Sequence, residues 1–348
     1  MAGRARAADL GVVPGVLPSG PVNAITDVPG VRVGHATLIE GPGIRTGVTG
    51  VVHDALTGLM TLPAGLFVFN GFGKLVGSTQ LAEFGEIETP VLLTSTLATF
   101  AVADALITHI LDLPGNTQLV SVNPVVAETN DGFLSDSRSR PITAEHVHAA
   151  IREAASGPVG EGCVGAGTGT AALGYKAGIG TASRQVHRDD TAATVGALVQ
   201  ANFSGTLTVL GAQVPAPATS GPRPAGNSCV IVLATDAPLD SRQLGRVARR
   251  SLTAMARVGS DFSGHSGDYA LAFSTAAGGA QTGTARPVPE NDLDLIFTAA
   301  IEATEEAILN SLFMAESMTG FRGHSRQAVP LDRVLATLSG RPGSRRGT

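Results

Sequence analysis

The 348-residue sequence has no tryptophan, 4% aromatic residues, 15% charged residues and only two cysteines, Cys163 and Cys229. Two cysteines in so long a chain make no disulfide framework, which excludes a small secreted scaffold and points to a reducing compartment. Sparse charge beside 43% hydrophobic residues excludes a disordered chain. The net charge of -5, with basic residues gathered only in a short stretch after Gly340, argues against nucleic acid as a partner. No eighteen-residue apolar run occurs, and "MAGRARAADLGVVPGVLPSG" lacks the apolar core of a signal peptide. These absences predict a globular protein that is soluble, cytoplasmic and not bound to membrane. The eight histidines are scattered; His146 and His148 stand two apart on a predicted helix and face differently, so no metal site is expected.

What is abundant is punctuation. Forty-four glycines and twenty prolines separate short apolar runs. Strands are predicted at 47–53, 65–70, 90–94, 118–123, 193–199, 206–209, 229–235 and 269–274. Helices are predicted at 96–113, with Leu97, Phe100, Ala101, Ala103, Ile107, Ile110 and Leu111 as its apolar set, after Thr143 as N-cap, from Asp240 with Gln243 in a capping pair, and over 293–314. Clusters of strands and helices without strict alternation imply a layered α+β fold with helices covering a mixed sheet. "VPAPATSGPRPAG", residues 214–226, reads as the one linker-like segment.

That segment ends just before Ser228, which enters the apolar run of "RPAGNSCVIVLATDAPL". A serine hydroxyl needs a base, and neither a triad-like histidine context nor a GxSxG elbow is present. The α-amine of the serine itself can serve once the peptide bond before it is cut, because its reference pKa of about 7.7–8.0 leaves a useful unprotonated fraction near neutrality. An ordinary serine at the entry to a buried strand is the competing reading. Three further stretches bear on the choice. "NPVVAETNDGFLSD" sets Glu128, Asn130 and Asp131 in a turn after an apolar strand; "GALVQANFSG" ends an apolar run with Gln200 and Asn202, amides able to stabilise an oxyanion; "GHSGDYALAFSTA" puts Ser266 and Asp268 on one face of an extended segment. "VGAGTGTAALG" fits a dinucleotide loop only in a loose frame and reads better as backbone passing near the site, and "GFGKLVGSTQL" reads as a turn. Cys229, inside an apolar run, reads as a core thiol.

Together with "ITDVPGVRVGH" and "VGAGTGTAALGYKAGIGTAS", these motifs resemble the self-processing aminopeptidases that include the L-aminopeptidase/D-esterase-amidase and the β-peptidyl aminopeptidases, from about Ile25 to Gly323. The resemblance implies one four-layer αββα domain over 1–348, Ntn-hydrolase-like with ornithine-acetyltransferase-like topology, which cuts itself at Asn227–Ser228 into chains 1–227 and 228–348. It implies Ser228 as nucleophile, Ser266 and Asp268 assisting it, Asn202 in the oxyanion hole and Glu128, with Asn130 beside it, on the substrate's free amine. Some members carry Glu where this chain has Asp268. The expected substrates are small peptides or amino-acid amides and esters, with no cofactor, in a homo-oligomer of four αβ pairs. The alternatives are an acyltransferase of the ornithine acetyltransferase kind and an unprocessed binding protein.

Overall fold

A computed structural model describes residues 3–188, 191–217, 227–276 and 288–340. The first half of the chain supplies β1 (Arg32–Glu40), β2 (Ile44–Val52), β3 (Leu62–Gly71), β4 (Leu75–Val76), α1 (Ser78–Glu83), β5 (Glu86–Ile87) and β6 (Val91–Ser95). α2 (Thr99–Leu111), β7 (Val125–Thr129) and α3 (Ala144–Arg152) follow. After two short strands, β8 (Ala171–Ala172) and β9 (Tyr175–Lys176), come the long β10 (Ile179–Arg188) and β11 (Thr191–Asn202) and the short β12 (Thr208–Val209) and β13 (Ala212–Gln213). β14 (Asn227–Thr235), α4 (Ser241–Ser251), α5 (Thr253–Arg257), β15 (Ser266–Ser274), α6 (Leu293–Phe313), β16 (Met318–Thr319), β17 (Ser325–Arg326) and α7 (Leu331–Ser339) complete it.

Two sheets stack face to face. One runs β1-β2-β6-β7-β4 and the other β10-β11-β14-β15-β3-β5, each antiparallel except for the pairs β6–β7 and β14–β15. α2 and α3 cover the first sheet, α4 and α6 the second, which makes a four-layer αββα sandwich. β14 shows why its sequence is apolar on both sides: Val230, Val232 and Ala234 face the other sheet, while Cys229, Ile231 and Leu233 pack toward the helices. Cys229 is thus a buried core thiol, which burial pushes well above the ordinary thiol range. α6 is buried nearly all round because its acids are paired, Glu302 and Glu306 with the buried Arg184 and Glu305 with Arg257.

Most predicted elements form within a few residues of their expected ends. Asp240 caps α4 as expected, accepting from Gln243 N at 2.7 Å while its own N–H meets Gln243 Oε1 at 3.2 Å. The 118–123 strand does not form: Asn123 N turns to Glu88 Oε1 at 2.7 Å, and pairing with β6 starts only after Pro124, at Val125. In α2 the buried face is Val102, Ala103, Ala105, Leu106 and Ile110, whereas Leu97, Phe100 and Leu111 are exposed. The apolar set there is wider than the sheet can cover. Most of the linker-like 214–226 segment falls outside the described residues.

Candidate active site

β14 starts at Asn227, so the Asn227–Ser228 bond lies at the very mouth of a buried strand. Strand registry brings the other motifs to the same end of the second sheet. Antiparallel β11 sets Asn202 opposite Ser228, and parallel β15 sets Ser266 opposite Asn227, Gly267 opposite Ser228 and Asp268 opposite Cys229. The first sheet contributes the turn after β7. Its Asn130 N–H donates to Ser228 Oγ at 3.2 Å, and Asn202 Nδ2 approaches the same oxygen at 3.5 Å while donating to Asn130 O at 3.0 Å. Two donors therefore converge on the one hydroxyl of a residue only 2% exposed. Asn202 is held from behind, its Oδ1 accepting from Ala171 N at 3.1 Å. The glycine-rich 164–174 stretch indeed runs beside the site, since it delivers Ala171 there.

On the other side of β14, Ser266 Oγ donates to Asp268 Oδ1 at 2.7 Å and Asn70 Nδ2 donates to Oδ2 at 2.8 Å. Burial pushes the Asp268 carboxyl above its usual range, and hydrogen bonds from Ser266, Asn70 and the Cys229 N–H pull it back down. Asn130 stabilises its own turn, its Oδ1 accepting from Gly132 N at 2.9 Å.

Glu128 lies inside β7, not in the turn expected for it, because the β6–β7 ladder continues through Thr129. Its Oε1 accepts from Lys74 N at 3.1 Å and from Lys74 Nζ at 3.3 Å, and Nζ also meets Thr96 Oγ1 at 2.8 Å. Gly73 packs so closely that a Cβ there would stand 2.7 Å from the Tyr269 hydroxyl and 3.2 Å from Glu128 Oε1, and glycine is what permits this approach. Burial, then the charges of Glu128 and Asp268, raise the Tyr269 phenol to about 12. Asp131 is buried behind the site and accepts from Ser95 Oγ at 2.7 Å; burial holds its carboxyl up at about 6.

A second expectation from the sequence fails. Gln200 does not reach Ser228: it is fully buried deeper between the sheets, where its Nε2 donates to Thr94 O, Thr129 Oγ1 and Ala166 O at 2.8–3.2 Å. Sequence reading also missed Asn70, Lys74 and Ser204. The first two follow an apolar strand in "FVFNGFGK", a polar strand end like the others, which was the available signal. Ser204 ties down the residue before the serine: Asn227 Nδ2 donates to Ser204 Oγ, which donates to Asp261 Oδ1, both at 2.6 Å.

Asn130, Asn202 and Asn227 open onto a cleft of about 580 Å³. Among the described residues, no helix is long and apolar enough to cross a membrane.

Comparison with known proteins places the chain in a family. Residues 23–326 match Peptidase family S58. The β-peptidyl aminopeptidase BapA of Sphingosinicella microcystinivorans is 40% identical over 96% of this chain and 91% of its own length. A Burkholderia sp. β-aminopeptidase structure superposes with a TM-score of 0.88 at 39% identity, covering 97% of this chain and all of the other. The L-aminopeptidase D-Ala-esterase/amidase of Ochrobactrum anthropi, a serine aminopeptidase with a variant of the Ntn-hydrolase fold, gives 0.85 at 36% identity over 96% and 98%. The chain is therefore a member of Peptidase family S58, with the fold of its aminopeptidases.

Proposed function

We propose that this chain is a serine aminopeptidase that makes its own nucleophile by cutting the Asn227–Ser228 bond. The observation that carries this is the convergence of the Asn130 N–H and Asn202 Nδ2 on Ser228 Oγ, with the Ser266–Asp268 pair on the neighbouring strand. In the uncut chain Ser228 Oγ attacks the Asn227 carbonyl carbon. The C–N bond breaks, the nitrogen takes up a proton, and water hydrolyses the resulting ester to leave a carboxylate on Asn227 and a free amine on Ser228.

That amine is the base of the mature enzyme. It accepts the Oγ proton as Oγ bonds to the substrate's acyl carbon, and it returns the proton to the departing amine. Water then releases the acyl group. The two donors strengthen as the carbonyl oxygen becomes anionic, which is stabilisation specific to the transition state. Asp268 receives Ser266 and Asn70, so both amide and hydroxyl are oriented before substrate arrives. Glu128 supplies a buried carboxylate for the substrate's free ammonium, beside Lys74, the internal cation that pairs with it. The relatives' names extend the class of the acyl residue to β-amino residues.

A denaturing gel with N-terminal sequencing tests the reading. Wild type is expected to give two bands, the smaller starting Ser-Cys-Val and comprising residues 228–348, and Ser228→Ala one band. Wild type is expected to hydrolyse aminoacyl p-nitroanilides and to ignore their N-acetylated forms. An uncut protein with full activity would remove the proposed nucleophile.

A further inference from the structure

The cleft that starts at Asn130, Asn202 and Asn227 continues to Phe133 and Arg326. Arg326 is unusual for a cleft residue. It is only 7% exposed, and its Nη1 donates to Ser325 O at 3.2 Å. Among the described residues no carboxylate pairs with it, and burial alone lowers its pKa. Its Cζ lies 3.9 Å from the centroid of the Phe133 ring. The ring in turn stacks on His324 with centroids 4.4 Å apart and planes 10° apart, and His324 Nδ1 is 2.9 Å from Phe133 O. A guanidinium packed by its face on an aromatic ring keeps its fork of N–H donors at the edge. Asp261, the other charged group lining the cleft, has its Oδ1 engaged by Ser204 Oγ at 2.6 Å and Ser263 N at 3.2 Å and makes no ion pair with Arg326.

A buried cation without an acid partner is costly unless an anion arrives to meet it. Glu128, at the amine end of the site, does not line the cleft, whereas both oxyanion donors do. A substrate with its ammonium at Glu128 and its carbonyl at Ser228 therefore sends its leaving group into the cleft. We propose that Arg326 receives the α-carboxylate of that leaving amino acid, so that the substrate class is a free dipeptide with its ammonium at Glu128 and its carboxylate at Arg326. This rests on the serine-aminopeptidase reading above and adds to it the far end of the substrate. Phe133 holds the fork flat against the wall, and the two parallel N–H groups of a guanidinium match the two oxygens of a carboxylate.

The test compares one dipeptide with the same dipeptide carrying a C-terminal amide, which is cleaved at the same bond and lacks only the charge. Wild type is expected to favour the acid in kcat/KM by about 10- to 100-fold, the size of one charge-assisted pair, mostly through KM. Arg326→Met is expected to bring the ratio near unity and Arg326→Lys to an intermediate value. Equal rates on acid and amide in wild type, or a preference unchanged in Arg326→Met, would overturn the assignment. Should Arg326→Met fail to fold, the wild-type comparison and Arg326→Lys still decide. An aminoacyl p-nitroanilide, with a neutral leaving group, separates the two proposals: no hydrolysis of it removes both, whereas hydrolysis combined with equal acid and amide rates removes the Arg326 subsite alone.

Discussion

Replacing Asp268 by Asn removes one charge and reverses one hydrogen bond, and the two effects can be read separately. The Asp268 carboxylate takes hydrogens from Ser266 at 2.7 Å and from Asn70 at 2.8 Å. An asparagine there cannot turn its amide toward Asn70, which is itself a donor; it must keep its oxygen on Asn70 and present N–H to Ser266. Ser266 then becomes an acceptor and its own proton swings away from residue 268. The charge effect concerns the free amine of Ser228 after the cut. Adjacent strands lie about 4.8 Å apart, and a carboxylate at about 4–6 Å raises the pKa of an amine by about 1–3 units. The lower end applies here, because three donors share the Asp268 charge. Asp268→Asn is therefore expected to lower the amine's pKa and move the acid limb of kcat/KM about one unit toward lower pH. The misdirected Ser266 is expected to lower the plateau by about 10- to 100-fold. The assay is a pH-rate profile from pH 5 to 9 on protein shown by gel to be fully cut. A profile equal to wild type in both position and height would refute the reasoning.

Asn202→Ala is expected to lower kcat by about 10²- to 10³-fold, the usual loss for one oxyanion donor; steady-state kinetics on cut protein check it, and an intact kcat places the oxyanion site elsewhere. Ser204→Ala removes the anchor of the Asn227 side chain and is expected to slow self-cleavage by about 3- to 10-fold, the range for one neutral hydrogen bond. A gel time course with unchanged rate would dismiss the anchor. Asp131 carries a folded-state pKa of about 6 against an ordinary 3.8, so the native state binds the proton more tightly than the unfolded one. Stability is then lost as pH rises through that window, by about 3 kcal/mol for two units. Asp131→Asn should lack this slope between pH 4 and 6 in urea titrations, and an identical slope would exonerate Asp131.

Ser228, Asn202, Ser266 and Asp268 were legible because each stands where an apolar run ends, and registry in one sheet brings run ends together. Gln200 was misread for a reason the chain hides. It shares a strand face with Asn202, but two residues, roughly 7 Å, separate the mouth of the site from its dry interior, and only the stacking of the second sheet decides which residue is where. β10 is not legible as an apolar run because its first eight residues, "IGTASRQV", are mostly small or polar and yet almost all buried. Gly180 lets α6 press so close that a Cβ there would fall 1.9 Å from Ala307 O, and Arg184 finds its acids on that helix. Such a strand is apolar by partnership and not by composition. Lys74 and Ser204 are distant from their partners in sequence, and no local pattern connects them.

The order of strands in the second sheet has a consequence for biogenesis. Reading across it, two strands from before residue 227 are followed by two from after it and then by two more from before it. The later segment is thus an inlay, gripped along both edges by the earlier one. Under the proposed cut at its first residue, it has no free edge by which to peel away, so that break would cost the sandwich almost no cohesion. The same interleaving forbids the reverse route. Translated as separate polypeptides, one piece would carry a sheet with a two-strand gap through its middle and the other a strand pair with both edges bare, each a template for aggregation. The proposed cut therefore has its place after folding, once a single continuous polypeptide has let the two halves find one another.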